Sequence, residues 1–175
     1  MKKNLLITGK PGCGKTTLIK KIVQLFPDKF GGFYTEEIRE RGKRKGFKVC
    51  SLSGKEEIFA DIDYVSPFRV SKYGVNLRIF ESIGVEAINE AMRTSKIIVI
   101  DEIGKMELFS EKFKETLIRA LDSKKKVLAT ITLSNIDFVN KIKRRSDCDI
   151  IFLSRENFDF NLNKIRKWVL IGEVK

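Results

Sequence analysis

The chain has 175 residues, of which 42% are hydrophobic and 10% are aromatic. This apolar content is enough for one domain that folds without disulfides or a structural metal, and it excludes disorder as the main state. The net charge of +12 favours anionic partners without naming one. No apolar run approaches the roughly 18 residues of a membrane-spanning helix, so we expect a cytoplasmic protein without membrane association.

Cysteine and histidine usage narrows the chemistry further. Cys13, Cys50 and Cys148 are widely spaced and form no Cys-x-x-Cys pair, so we expect free thiols in a reducing compartment. Histidine is absent, which excludes a Ser-His-Asp triad, an imidazole general base and an imidazole metal ligand. Any reaction must therefore use carboxylates, hydroxyls, lysines, arginines or a bound ion.

The N-terminal part of the chain predicts a strand, a loop, a helix and a hairpin. Residues 3–8 form a short apolar run, and apolar residues then recur at helical spacing up to Phe26, before Pro27 ends the helix. A charged turn at residues 39–45 separates two extended segments. This pattern predicts a β-hairpin over about residues 31–52 with a basic tip.

The rest of the chain alternates between helical and strand-like segments. Residues 55–73 give a mixed signal, with a short strand at 58–60. The predicted helices are 82–92, 111–121 with Ser110 as N-cap, 136–142 and 161–170, and the predicted strands are 96–100, 127–133 and 150–153. Alternation of this kind predicts a single α/β domain over residues 1–175, with a mostly parallel sheet flanked by helices and an inserted β-hairpin.

The strongest motif lies between the first predicted strand and helix. Residues 9–16 match the phosphate-loop (Walker A) pattern G-x-x-x-x-G-K-[ST] at every position. Backbone N–H groups of such a loop surround a phosphate, while the lysine reaches the β- and γ-phosphates and the hydroxyl coordinates Mg²⁺. The predicted nucleotide-binding residues here are Gly9, Lys10, Pro11, Gly12, Cys13, Gly14, Lys15, Thr16 and Thr17.

A second, acidic motif completes the predicted P-loop NTPase site. Asp101 and Glu102 follow an apolar, β-branched run, at the sheet edge where α/β folds place ligands, as in a Walker B motif. We expect Thr16 and Asp101 to be the Mg²⁺ ligands, with Asp101 acting through the water shell of the ion. Glu102 would orient and deprotonate the attacking water, with Lys15 as the second catalytic residue.

Three segments of the chain resemble one narrow family. They are GKPGCGKTTL, the stretch GGFYTEEIRERGKRKGF at 31–47 and the stretch VIDEIGKMELFSEKF at 99–113, and they are similar to the THEP-type nucleoside-triphosphatases. The resemblance implies Mg²⁺-dependent hydrolysis of ATP, GTP, CTP and UTP to nucleoside diphosphate and phosphate, with low base selectivity. It also implies that residues 98–105 line the nucleotide site, namely Ile98, Val99, Ile100, Asp101, Glu102, Ile103, Gly104 and Lys105.

The chain departs from this family at one position and leaves one role unassigned. Many members have a histidine where this chain has Thr132, so the hydroxyl of Thr130 or Thr132 would have to substitute for it. Phosphoryl transfer also commonly uses a further cation. The candidates are Arg39, Arg41, Arg44, Lys141, Lys143, Arg144 and Arg145.

Two other functional classes stay open at this stage. One is a nucleotide, nucleoside or small-molecule kinase, against which the paired acids and the lack of an arginine-rich lid both argue. The other is a nucleic-acid-associated nucleotide switch, which the basic segments 39–45, 123–126 and 141–145 would favour. Few aromatic residues accompany those charges, so nucleic acid is the less favoured partner. The oligomeric state cannot be inferred from the residues.

Overall fold

The computed structural model describes residues 1–171, which contain nine strands and six α-helices. The strands are β1 (Asn4–Thr8), β2 (Phe30–Glu40), β3 (Lys43–Ser51), β4 (Glu56–Asp61), β5 (Arg69–Val70), β6 (Tyr73–Val75), β7 (Ile97–Ile103), β8 (Lys126–Ile131) and β9 (Cys148–Phe152). The α-helices are α1 (Lys15–Leu25), α2 (Leu77–Phe80), α3 (Glu86–Thr94), α4 (Glu111–Asp122), α5 (Asp137–Lys143) and α6 (Phe158–Leu170). A π-helical turn, Glu81–Val85, joins α2 to α3, and 3-10 turns occupy Pro27–Lys29 and Glu107–Phe109.

All nine strands belong to one mixed sheet, in the order β5-β6-β4-β3-β2-β7-β8-β1-β9. The five strands from β2 to β9 in this order pair in parallel, and the four on the other side of β2 add in antiparallel fashion. The predicted α/β fold with flanking helices is confirmed. The antiparallel part is larger than the predicted hairpin, because β4, β6 and β5 extend it.

Helices cover both faces of the parallel half of the sheet, because the side chains of its strands alternate between two cores. Ile97 and Val99 of β7 pack in one core with the apolar faces of α1 and α6. Ile98 and Ile100 pack in the other core with α3, α4 and α5. The continuous apolar run in β7 thus follows from burial on both faces. No helix within residues 1–171 is long and apolar enough to cross a membrane.

The helix predicted at residues 82–92 is longer in the structure and begins at Leu77. The side chain of Asn76 accepts a hydrogen bond from the Ile79 backbone N–H at 3.2 Å and so caps this helical segment. Gly84 lies in the π-helical turn, where a Cβ atom would stand 2.8 Å from the Phe80 ring. Glycine therefore permits the close packing of Phe80, although a glycine inside a helix lowers the local helical signal.

Ser110 caps α4, as the sequence predicts, and we expect its replacement by alanine to destabilise the fold. Its hydroxyl accepts the Phe113 backbone N–H at 3.0 Å and donates to Glu81 Oε1 at 2.7 Å, in a buried position. Loss of an N-cap costs about 0.5–2 kcal/mol of unfolding free energy. Denaturant unfolding should show this loss in Ser110→Ala, whereas a Ser146→Ala control at an exposed serine should leave the midpoint unchanged.

Candidate active site

The predicted phosphate loop connects the carboxyl end of β1 to the first turn of α1. Gly12 and Gly14 have φ angles of 74° and 103°, which lie in the left-handed region that side chains with a Cβ rarely adopt. Gly14 immediately precedes α1, and the Phe158 ring of α6 packs against it. The first N–H groups of α1, which have no partner within the helix, consequently face the end of the loop.

The Lys15 side chain folds back across this loop. Its ammonium donates to the Gly9 carbonyl oxygen at 2.9 Å and to the Lys10 carbonyl oxygen at 3.2 Å. The residue is half-buried, so its charge is held at the mouth of the loop without being removed from solvent. An anion that enters the loop therefore meets both the helix N-terminus and this cation.

Thr16, Asp101 and Thr130 form one hydrogen-bonded unit from three different elements. Asp101 Oδ2 accepts the Thr16 hydroxyl at 2.7 Å, and Asp101 Oδ1 accepts the Thr130 hydroxyl at 2.5 Å. Only 2% of Asp101 is exposed. Burial raises the pKa of the Asp101 carboxyl, while the two hydroxyl donors and the nearby Lys15 charge oppose this shift. The structure thus brings the two predicted metal ligands, Thr16 and Asp101, into contact.

The donor set of this unit fits a magnesium ion. Hydroxyl and carboxylate oxygens are ligands that Mg²⁺ accepts, and the ion usually takes only one or two protein side chains, together with waters and substrate phosphates. No group of three or more histidine, cysteine or acidic side chains that could hold a metal occurs within residues 1–171. A magnesium ion held by Thr16 and Asp101 would take its remaining ligands from waters and substrate phosphates.

Glu102 lies next to this unit and beside a second acid, Glu107, for which the sequence analysis predicts no role. A Cβ atom on Gly104 would stand 2.7 Å from Glu102 Oε1 and 3.0 Å from Glu107 Oε2, so both carboxyl groups flank this glycine. Burial and the Asp101 charge raise the pKa of Glu102, and Lys15 opposes them. Burial and the Glu102 charge hold the pKa of Glu107 well above its usual range. In the sequence, Glu107 stands within the otherwise apolar run M-E-L-F, and this pattern could have indicated a buried acid.

A cavity of about 600 Å³ opens beside Glu102 and Glu107. Its walls come from the end of β7, from the hairpin formed by β2 and β3, and from the turn between β5 and β6. Of the predicted nucleotide-binding residues, Pro11, Glu102 and Lys105 line it. The other phosphate-loop residues lie outside the lining, so the cavity adjoins the loop on the Glu102 side.

Four residues predicted to line the nucleotide site do not reach it with their side chains. Ile98, Val99, Ile100 and Ile103 are fully buried, because they belong to the two cores of the sheet. Of residues 98–105, the structure places the side chains of Asp101 and Glu102 at the site and leaves Lys105 exposed beside it. The resemblance implies that Gly104 allows a close approach at the nucleotide site. In the structure, the groups that lie close to Gly104 are the side chains of Glu102 and Glu107.

The candidate cations separate into distant and nearby residues. Arg145 pairs with Asp122 at 2.6 Å and with Asp147 at 2.9 Å. The Asp147 carbonyl accepts the N–H of Asn4, the first residue of β1, so Arg145 lies at the opposite end of that strand from the phosphate loop. Lys143 donates to the Thr132 carbonyl oxygen at 2.7 Å, and Thr132 lines the cavity. Arg44 also lines the cavity and forms an ion pair with Glu37.

A phosphate loop between a strand and a helix, joined through a threonine to the acid of a neighbouring parallel strand, defines a P-loop NTPase. A family model described as NTPase matches residues 4–166, and the chain belongs to this family. The nucleoside-triphosphatase THEP1 of Thermotoga sp. (strain RQ2) is 53% identical over 161 residues, which are 92% of each chain. The predicted resemblance to the THEP-type enzymes is thereby confirmed.

Two solved structures have the same fold over nearly the whole chain. The crystal structure of THEP1 from the hyperthermophile Aquifex aeolicus has a TM-score of 0.88 and 38% identity, covering 95% of this chain and 98% of that one. The solution structure of a human cancer-related nucleoside triphosphatase has a TM-score of 0.83 and 33% identity, covering 97% of this chain and 98% of that one. The antiparallel extension and the parallel half of the sheet therefore belong to one shared architecture.

Proposed function

We propose that this protein is a cytoplasmic, Mg²⁺-dependent enzyme that hydrolyses nucleoside 5′-triphosphates to nucleoside diphosphates and phosphate. The hydrogen bond from Thr16 to Asp101, directly beside Glu102, carries this proposal, because it joins the phosphate loop to the acidic strand end. Membership of a family whose named members are nucleoside-triphosphatases supports it. We further propose low selectivity among ATP, GTP, CTP and UTP, since the assigned contacts address phosphates and not bases.

The phosphate loop and Lys15 would bind the triphosphate. Backbone N–H groups of the loop and of the start of α1 would donate hydrogen bonds to the phosphate oxygens. The Lys15 ammonium would exchange its two backbone carbonyl partners for the β- and γ-phosphates. Thr16 and Asp101 would hold Mg²⁺ with the phosphates. When bound, this ion neutralises part of the charge on the β- and γ-phosphate oxygens.

Glu102 would act on the attacking water. A carboxylate with a raised pKa is a stronger base. Burial and the Asp101 charge both raise the pKa of Glu102. Glu102 therefore orients the water and takes its proton as the water attacks the γ-phosphorus. Glu107 lies on the other side of Gly104, where burial and the Glu102 charge hold the pKa of its carboxyl well above its usual range.

Phosphate release from each of the four nucleoside triphosphates tests the proposal directly. We expect release from several of them with Mg²⁺ present and no added acceptor, and loss of release when a chelator removes the ion. The same assay without protein gives the background rate. Absence of phosphate release from all four nucleotides, under conditions in which the protein binds them, would overturn the proposed activity.

We expect the Thr130 hydroxyl to raise the affinity of the Asp101 carboxylate for Mg²⁺. Thr130→Val removes one of the two hydroxyl donors to a buried carboxylate, and loss of such a supporting hydrogen bond typically lowers metal affinity about 10–100-fold. We therefore expect half-maximal phosphate release to require a correspondingly higher Mg²⁺ concentration. Thr130→Ser keeps the hydroxyl and serves as the matched control. Equal Mg²⁺ requirements in the valine and serine variants would show that the Thr130 hydroxyl does not support Mg²⁺ binding.

A further inference from the structure

The cavity beside Glu102 is much larger than one attacking water molecule requires. Its volume is about 600 Å³. One water molecule occupies about 30 Å³. Among residues 9–17 only Pro11 lines the cavity, so most of its walls come from outside the phosphate loop. Small-molecule sites in proteins have volumes of about 300–1,000 Å³, and the cavity falls within this range.

Aromatic rings form one wall of the cavity. The rings of Phe47 and Tyr73 meet edge to face, with 5.3 Å between their centroids and 73° between their planes. The Arg44 guanidinium lies 5.7 Å from the Phe47 ring centroid, and the Lys72 ammonium lies 5.7 Å from that of Tyr73. Aromatic side chains with cations beside them suit a ligand that joins a planar ring to a negatively charged group.

The charges around the cavity are separated into an acidic floor and a basic opening. Glu107 is buried and Glu102 is half-buried, whereas Lys72, Lys105 and Arg44 are exposed. Within residues 1–171, neither Lys72 nor Lys105 forms an ion pair with a carboxylate. These two ammonium groups are therefore available to an anionic ligand at the opening, while the inner end of that ligand would face Glu102.

We propose that this cavity binds a second, small organic anion with a planar ring, of the nucleoside 5′-monophosphate class. The ring would lie against Phe47 and Tyr73, and the phosphate would lie near Lys72 and Lys105. This inference rests on the proposed function, because it takes the Glu102 side of the loop as the side from which water attacks. A ligand bound there covers Glu102 and excludes water, so it lowers hydrolysis without occupying the triphosphate site.

Inhibition kinetics with AMP, GMP, CMP and UMP as probes test the second site. We expect at least one monophosphate to lower the maximal rate of phosphate release from Mg·ATP while the KM for ATP stays unchanged. Lys72→Gln should weaken this inhibition about tenfold, the typical effect of losing one charge-assisted contact. Lys43→Gln, which removes an exposed lysine of the β2–β3 hairpin outside the cavity lining, is the matched control and should leave the inhibition unchanged.

The alternative outcomes separate this site from the proposed hydrolysis. A monophosphate that only raises the KM for ATP occupies the phosphate loop, and that result would overturn the second site. Hydrolysis that is indifferent to all four monophosphates at millimolar concentration would also overturn it, while the proposed function would stand. If no hydrolysis occurs, calorimetric titration of the monophosphates into protein saturated with a non-hydrolysable ATP analogue decides the second site on its own.

Discussion

Glu102→Gln is expected to abolish phosphate release while nucleotide binding stays close to that of the wild type. Glutamine keeps the size and the hydrogen-bonding capacity of the side chain but cannot accept the proton of the attacking water. General-base catalysis contributes about 10²–10⁴-fold in rate, so a loss of this size is expected. Binding should survive because Lys15, Thr16 and the loop backbone, and not Glu102, make the proposed phosphate contacts. Phosphate release and equilibrium binding of a fluorescent nucleotide measure the two effects separately.

Glu57→Gln provides the matched control for this variant. Glu57 is an exposed acid of β4, so its neutralisation changes the net charge equally without altering the site. We expect wild-type turnover in this control. A Glu102→Gln protein that releases phosphate at the wild-type rate would contradict the assigned base, and Glu107 would then be the next carboxyl group to replace, because it lies on the other side of Gly104.

The part of the site that the sequence could predict is the part made by neighbours along the chain. Residues 9–17 need only a strand, a tight turn and a helix, and each of these leaves a local pattern of glycine, lysine and apolar spacing. The acidic pair was recognisable because it ends an apolar run. Thr130 was harder to assign, since its hydrogen bond to Asp101 joins positions 29 residues apart on neighbouring strands.

The cavity lay beyond sequence reasoning for a related physical reason. Its lining comes from the hairpin, the β5–β6 turn and the end of β7, which meet only after the antiparallel strands join the sheet. Two of those strands, β5 and β6, have only two and three residues, too few to show the alternation that predicts a strand. Residues 55–73 therefore gave a mixed signal, although Tyr73 forms part of the aromatic wall.

Burial also explains why some side chains of residues 98–105, all of which the resemblance assigns to the nucleotide site, do not reach it. A family motif indicates which segment of the chain lies at the site. The alternation of side chains along the strand decides which of them reach the site. Ile98 and Ile100 point into one core and Val99 into the other, so the parallel sheet uses these residues for stability. The side chains proposed to act on the nucleotide come from the end of the strand, at Asp101 and Glu102.

Lys15→Ala is expected to weaken nucleotide binding and to abolish hydrolysis, whereas the change at Glu102 leaves binding close to that of the wild type. The Lys15 ammonium is the proposed partner of the β- and γ-phosphates, and hydrogen bonds to charged groups contribute about 1.5–3 kcal/mol. Affinity should therefore fall about 10–150-fold. In the free protein, Lys15 donates to two carbonyl oxygens of the loop, and its contact to Lys10 is exposed. Thermal unfolding without nucleotide should thus change little in the variant.

Nucleotide-dependent stabilisation separates lost binding from misfolding. A ligand at 100 times its Kd stabilises the folded state by about 2.7 kcal/mol, so Mg-nucleotide should raise the melting temperature of the wild type clearly. The same concentration should raise that of Lys15→Ala much less, because the higher Kd reduces the ratio on which the stabilisation depends. Lys21→Ala removes an exposed lysine of the same helix and should respond like the wild type. Equal nucleotide-induced shifts in the wild type and Lys15→Ala would show that the triphosphate binds elsewhere.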